Sequence, residues 1–385
     1  MSGCKSHIVL RLLAAAFLFL PAVQMQAVAQ EQNVSEDFVT ASLIVSDPAG
    51  ALYSKFGHAA IHMECPEHYL DYIFTYEAED ASSKILRFFT GKLNMGMAAI
   101  PTADFISICL DERRGVRQYE LNLPIEAKRN LWRGLDNHLT EGMCLPYDYL
   151  SGGCAHSALM MIEEGLDTLH LKFGPWPKKY DLTRREIAHE ALSSHKWTRC
   201  FLHLICNGEI DRQCSCKDKV ILPADLVEVL SSATVNGNPI ISGEAKLIVK
   251  GSTEQSCRWP SPAVVALILL AATIICGLAK VRFMDYVLLA FQTVLGIITV
   301  YLVFFSTLCC TEWSWLIIPF NPLPLIFWKW RRKWALPYAI VLLVWCAFMF
   351  FWPHLMTDNA YIVITFAIII SYVKIHANNK TILYG

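Results

Sequence analysis

Apolar positions fall into three regimes along the chain. They run unbroken from Leu12 to Leu20, recur periodically between about Gln30 and Arg258, and return after Trp259 as long continuous runs. The middle regime alternates as strands do over Ala41 to Val45, over Gly57 to Met63 and over Tyr69 to Tyr76. In the second of these, Ala59, Ile61 and Met63 alternate with His58, Ala60 and His62; in the third, Leu70, Tyr72, Phe74 and Tyr76 share a side. The three predict one antiparallel sheet. Helical spacing takes over further on. Pro124 opens a segment whose Leu131, Leu135 and Leu139 form a stripe, and another begins near Cys154, burying Ala155, Ala158, Leu159, Ile162 and Leu166. Ser151, Gly152 and Gly153 lead into it. The middle regime therefore predicts an α+β domain, and its more than 200 residues suffice for one substantial core.

The last regime divides into five apolar segments: Ser261 to Leu278, Met284 to Leu308, Trp313 to Trp328, Trp334 to Trp352 and Asn359 to Val373. The third is short and carries Pro319, Pro322 and Pro324, which predicts a broken or re-entrant helix packed against its neighbours. Lys280 and Arg282 follow the first segment, Lys329, Arg331, Arg332 and Lys333 the third, and Lys374 and Lys380 the fifth. The loops Cys309 to Glu312 and Pro353 to Asp358 hold neither Lys nor Arg. All basic clusters thus lie on one side. With positive residues inside, the domain before Trp259 is expected outside the cytoplasm, and the C-terminus inside. At the other end, Lys5 and Arg11 precede the run to Leu20, with Pro21 and Ala27-Val28-Ala29 behind it, the layout of a signal peptide cleaved near Ala29. That run is shorter than the roughly 20 residues a span needs, which leaves an uncleaved span as the second reading.

Three parts follow: a signal peptide over 1–29, an extracytoplasmic domain over 30–258, and a membrane domain of about five helices over 259–385, in the cytoplasmic membrane. Composition agrees, because 54% of residues are hydrophobic and 17% charged, an excess that the two terminal regimes absorb. Net charge is −1 and no basic stripe lies outside the cytoplasmic loops, so nucleic acid is not an expected partner.

Nine cysteines fall in the outer domain: Cys65, Cys109, Cys144, Cys154, Cys200, Cys206, Cys214, Cys216 and Cys257. An oxidising compartment pairs cysteines, and an odd number leaves one over. Cys154 is the candidate nucleophile, because a helix start supplies backbone amides and a dipole that favour the thiolate. A disulfide or a small buried helix residue is the competing reading. His58 and His62 share one strand face, and either can act as base; Asp71, on the neighbouring strand, is placed to hold an imidazole in its reactive tautomer. His156, about 200° round a helix from Cys154, is a poor base. The run Cys200, His203, Cys206, Cys214 and Cys216 lacks the paired spacing of a zinc ribbon.

Together these residues resemble the Lnb lipoprotein N-acyltransferases, whose outer domain is similar to a permuted papain-like thiol fold of the NlpC and lecithin retinol acyltransferase type. The resemblance runs through Ala41-Ser42-Leu43, Tyr53-Ser54-x-Phe56-Gly57-His58, Asp71-Tyr72-x-Phe74-x-Tyr76, Phe89-x-Gly91-Lys92-Leu93 and Tyr147-Asp148 ahead of Cys154. It continues in Asp211-Arg212, Leu222-Pro223-x-x-Leu226, Asn236-Gly237, Asp285 and Asn321-Pro322-Leu323. It implies Cys154 as nucleophile, His58 as base, and Asp71 or His62 as orienting group. It also implies a membrane phospholipid as acyl donor, the lipidated N-terminal cysteine of a lipoprotein as acceptor, and no metal or organic cofactor. The chain departs from the family at Gly153, where Asn is common, and at Leu308-Cys309, where the outer loop often carries a His. The alternatives are a cell-wall peptidase or amidase on the same fold and a non-catalytic envelope scaffold or lipid-binding module.

Overall fold

A computed structural model of the chain describes residues 39–49, 55–79, 83–142, 144–148, 152–167, 169–252, 259–352 and 358–377. The expected signal peptide, together with Tyr53 and Ser54, lies outside the described residues.

Strands β1 (Thr40–Ser46), β2 (His58–Cys65) and β3 (Leu70–Ala78) form where the alternation predicts them. Helix α1 (Ile85–Thr90) follows, then β4 (Asn94–Pro101), α2 (Thr102–Asp111), β5 (Val116–Glu120), α3 (Ile125–Thr140), β6 (Cys144–Pro146) and α4 (Cys154–Leu166). Helices α5 (Arg184–Ala191), α6 (Lys196–Ile205) and α7 (Pro223–Ser231) precede a small hairpin of β7 (Thr234–Val235) and β8 (Asn238–Pro239), and β9 (Lys246–Val249) closes the domain. Seven strands make one antiparallel sheet in the order β6-β4-β3-β2-β1-β5-β9.

Both faces of this sheet are covered, which is why β1 is buried at nearly every position. On one face Leu43, Ile61, Met63, Phe74 and Tyr76 pack against α3 and α4 through Leu131, Leu135, Leu159 and Ile162. On the other, Ile44, Ala60 and Ile73 meet Phe105 and Cys109 of α2. The apolar side of α4 is the one expected, with Ala155, Ala158, Leu159, Ile162 and Leu166 all buried. In α3 the stripe stops early. Leu139 is exposed, and its neighbour His138 turns inward, where Tyr76 Oη meets His138 Nδ1 at 2.5 Å.

Beyond the outer domain lie α8 (Pro262–Leu278), α9 (Phe283–Phe305), α10 (Leu323–Ile326), α11 (Arg331–Phe351) and α12 (Asn359–Ala377). Among the described residues three helices are long and apolar enough to cross a membrane, and the shorter apolar α8 packs on α12. Leu267, Ile275, Ile297, Val344 and Phe350 point outward, as apolar side chains do when the surrounding solvent is lipid.

The third segment is broken, as its prolines predict, into a turn at Trp315–Ile317, the single turn α10 and another turn at Trp328–Trp330. Its freed carbonyls are met by side chains of the neighbouring spans. Gln292 donates to Pro319 O at 2.7 Å, Tyr338 to Ile318 O at 2.5 Å and Trp345 to Trp315 O at 2.9 Å, while Asn321 donates to Ile318 O at 3.0 Å. Gly296 of α9 lets the break come close, since a Cβ there would overlap the Asn321 backbone.

The two parts share a seam. Phe88 of α1 and Leu93 just beyond it pack with Ile205, Cys206, Leu302, Leu308 and Cys310. Thr307 N–H donates to Thr90 O at 3.0 Å, Arg212 pairs with Glu312 at 3.3 Å, and Tyr361 of α12 donates to Cys200 O at 2.8 Å. Gly91 holds φ +71°, and a Cβ on it would lie 2.7 Å from the Leu308 side chain, so the seam closes there only on glycine.

Candidate active site

Cys154 is the first residue of α4. Its N-cap, Gly153, makes no side-chain cap bond, so the amides of the first turn remain available to a ligand. The half-buried thiol lies against the α3/α4 face of the sheet. Burial raises its pKa, Glu77 adds to the rise, and hydrogen bonds from the backbone amides of Ala59, Ala155 and Cys154 pull the other way. The net shift is upward. Local sequence predicts the reverse, because the rule for helix starts weighs dipole and amides and omits the dehydration of the sulfur. At rest the group is a thiol held among amides that are placed to receive negative charge.

His58 opens β2, one residue from the amide that reaches Cys154. Its Nε2 lies 2.5 Å from Thr75 Oγ1 and 3.9 Å from Glu77 Oε1, both on β3. Thr75 and Glu77 alternate with the core residues Phe74 and Tyr76, and Glu77 is also the charge that acts on the Cys154 thiol, so the cluster lies within electrostatic reach of it. No hydrogen bond joins His58 to Cys154 among the described residues. Burial, reinforced by the Arg114 guanidinium, depresses the His58 pKa to about 4, so the ring is neutral at neutral pH. Arg114 is itself fixed by Ser46 Oγ, by Glu112 at 2.9 Å and by the Asp47 carbonyl at 3.2 Å.

His62 and Asp71 are brought together, with Nε2 to Oδ1 at 2.7 Å, and Gln118 lies 3.3 Å from the other ring nitrogen. Asp71 therefore orients His62 and not His58. His62 stands four residues along β2 from His58, roughly 13 Å at strand rise, and the pair is separate from the thiol end of the sheet. The partner of His58 is Thr75, which periodicity marked only as a residue off the core face.

Beside the start of α4 lies a cleft of about 470 Å³, walled by Met95, Leu145, Tyr147, Gly152, His156, Ser157 and Met160 from the outer domain and by Thr307 and Leu308 at the end of α9. Tyr147 connects it to the thiol, for its phenol is buried and the charge of a Cys154 thiolate is among the influences that raise its pKa. His156 faces this cleft, consistent with its angular separation from Cys154. Leu308, where the family often has a polar loop residue, gives the cleft an apolar wall and is itself 4% exposed. The run from Cys200 to Cys216 is dispersed: Cys200 joins the core of the membrane bundle and Cys206 the seam. Among the described residues no three His, Cys, Asp or Glu side chains converge as metal ligands.

An antiparallel α+β domain with a thiol at a helix start, seated on a bundle of membrane-length helices, defines a membrane protein with a folded domain outside its spans. Residues 26–187 match the family model described as the Lnb N-terminal periplasmic domain, and residues 253–381 match that of the Lnb transmembrane domain. The chain belongs to the Lnb family, with a periplasmic N-terminal domain and a transmembrane region. No curated protein and no solved structure matches it.

Proposed function

We propose that the protein is an acyltransferase of lipoprotein biogenesis, which moves a fatty acyl chain from a membrane phospholipid to the N-terminal cysteine amine of a lipidated lipoprotein. One observation carries this reading: the start of the thiol-bearing helix and the outer end of the second span wall the same cleft. A donor anchored in the outer leaflet of the cytoplasmic membrane reaches such a cleft without leaving the bilayer, and tethering both substrates in one membrane raises their effective concentration.

The chemistry needs His58 to exchange Thr75 for the thiol once donor is bound, since catalytic hydrogen bonds tighten in the substrate complex. The imidazole takes the Cys154 proton as sulfur attacks the ester carbonyl. Amides of Cys154 and Ala155 receive the oxyanion. Collapse expels the lysophospholipid alkoxide, which takes the proton back from His58 and leaves a thioester on Cys154. The lipoprotein amine then attacks, His58 removes its proton, and collapse to the amide returns the thiolate, which is reprotonated from His58. Every charge that develops in this sequence is transient, in keeping with a resting state of neutral thiol and neutral imidazole.

The test is mass spectrometry of a model lipoprotein's N-terminal peptide from cells lacking their own N-acyltransferase and supplied with this chain or its Cys154→Ala variant. An added acyl mass that depends on Cys154 is expected. No added mass, with export and membrane insertion verified, would overturn the reading.

A further inference from the structure

Cys206 and Cys310 lie 104 residues apart in the chain and meet at the seam between the periplasmic domain and the membrane bundle. Cys206 caps the C-terminal end of α6, and Cys310 belongs to the short turn Cys309–Thr311 beyond the second span. Both are fully buried, in the cluster that holds Phe88, Leu93, Ile205, Leu302 and Leu308. Their sulfurs are 3.7 Å apart. The backbones are tied at the same place, where Asn207 N–H donates to Cys310 O at 2.5 Å.

Sulfurs already in contact need to close by less than about 2 Å to reach bonding distance. Side-chain rotation supplies most of that, and the backbone hydrogen bond holds the two chains in place while it happens. Both residues belong to the periplasmic side of the protein, where thiols that meet become disulfides. We propose that Cys206 and Cys310 form a disulfide that fastens the periplasmic domain to the outer turn of the membrane bundle. The electron acceptor is the disulfide of a periplasmic thiol–disulfide oxidoreductase. One thiolate attacks it to give a mixed disulfide, the second displaces the oxidoreductase sulfur, and the oxidoreductase leaves with two thiols carrying the two electrons and two protons removed. Thr307 and Leu308, three and two residues before Cys310, wall the cleft beside Cys154, so the bond also fixes the width of that cleft. The inference rests on the seam and the compartment and is independent of the acyl-transfer reading.

The experiment uses the full chain, exported in cells with intact periplasmic oxidation, quenched in acid, denatured in the presence of the alkylating reagent and digested without reductant. The expected species joins the Cys206 and Cys310 peptides with two hydrogens lost, and separates on reduction. Alkylated Cys206 and Cys310 in the unreduced sample, or a bond from either to a different cysteine, would overturn the proposal. Cys206→Ser is expected to leave Cys310 open to alkylation and to lower the melting temperature to that of the reduced wild type. If loss of the joined species leaves wild-type melting unchanged, the bond does not fasten the domain.

Discussion

The protonation of Cys154 is the feature of the site that separates it most sharply from a preformed thiolate–imidazolium pair. Its pKa is raised above the ordinary value of 9.0, and His58 titrates at about 4, so neither group carries charge at pH 7. A thiol with a pKa above 9.0 holds less than about one part in a hundred as thiolate at that pH. Because the thiolate alone is the reacting species, alkylation of Cys154 should rise by nearly tenfold per pH unit and gain about 50- to 100-fold between pH 7 and pH 9. The perturbation is pH alone. The assay is a brief exposure of the detergent-solubilised full chain to iodoacetamide across that range, with the Cys154 peptide quantified by mass spectrometry. A rate that levels off at or below pH 7 would show a thiolate already formed in the resting protein, and the account of burial outweighing the amides would be wrong.

Acid should loosen the fold through His58. Its folded pKa is depressed, so between about 6.5 and about 4 the unfolded chain binds a proton that the folded one refuses, and thermal stability should fall as pH drops through that window; His58→Gln should flatten the dependence. Gly153→Asn should fold, because a Cβ there meets open space, and the added N-cap acceptor should raise the melting temperature by an amount equivalent to a few tenths of a kcal/mol. Leu159→Ala empties a fully buried position between α4 and the sheet and should cost about 2–5 kcal/mol in denaturant unfolding of the outer domain. His62→Ala should leave lipoprotein N-acylation within several-fold of wild type, measured by acyl mass, whereas His58→Ala should abolish it; equal loss from both would put the catalytic base at the wrong end of β2.

Much of this architecture is visible in the sequence because it is periodic. The alternation in Ala59, Ile61 and Met63 sets the face that β2 turns to α3 and α4, and the spacing from Ala155 to Leu166 sets the buried side of α4, since both record burial in the core between the sheet and those helices. What stays hidden depends on contacts distant in sequence. Thr75 becomes the partner of His58 through strand register, which nothing local encodes. The cleft needs Tyr147 and Leu308 on facing walls, and the break in the third segment shows in its prolines while the side chains that satisfy it, Gln292, Tyr338 and Trp345, lie on other spans. Leu139 fits the helical period and is exposed all the same, while its neighbour His138 takes the inward position against Tyr76. The pairing of His58 with Cys154 is implied by the family resemblance and by no spacing in the chain; in the structure their strand and helix meet through the Ala59 amide.

The close approach of Gly296 to Asn321 also has a bearing on elevation. With the broken segment clamped against the second span, and its backbone held by three other side chains, the outer turn that follows α9 cannot slide along the membrane normal. The periplasmic domain rests on that turn through Thr90, Gly91 and Cys206. The start of the Cys154 helix, which walls one cleft with Leu308 beside that turn, therefore takes its height from the same anchorage.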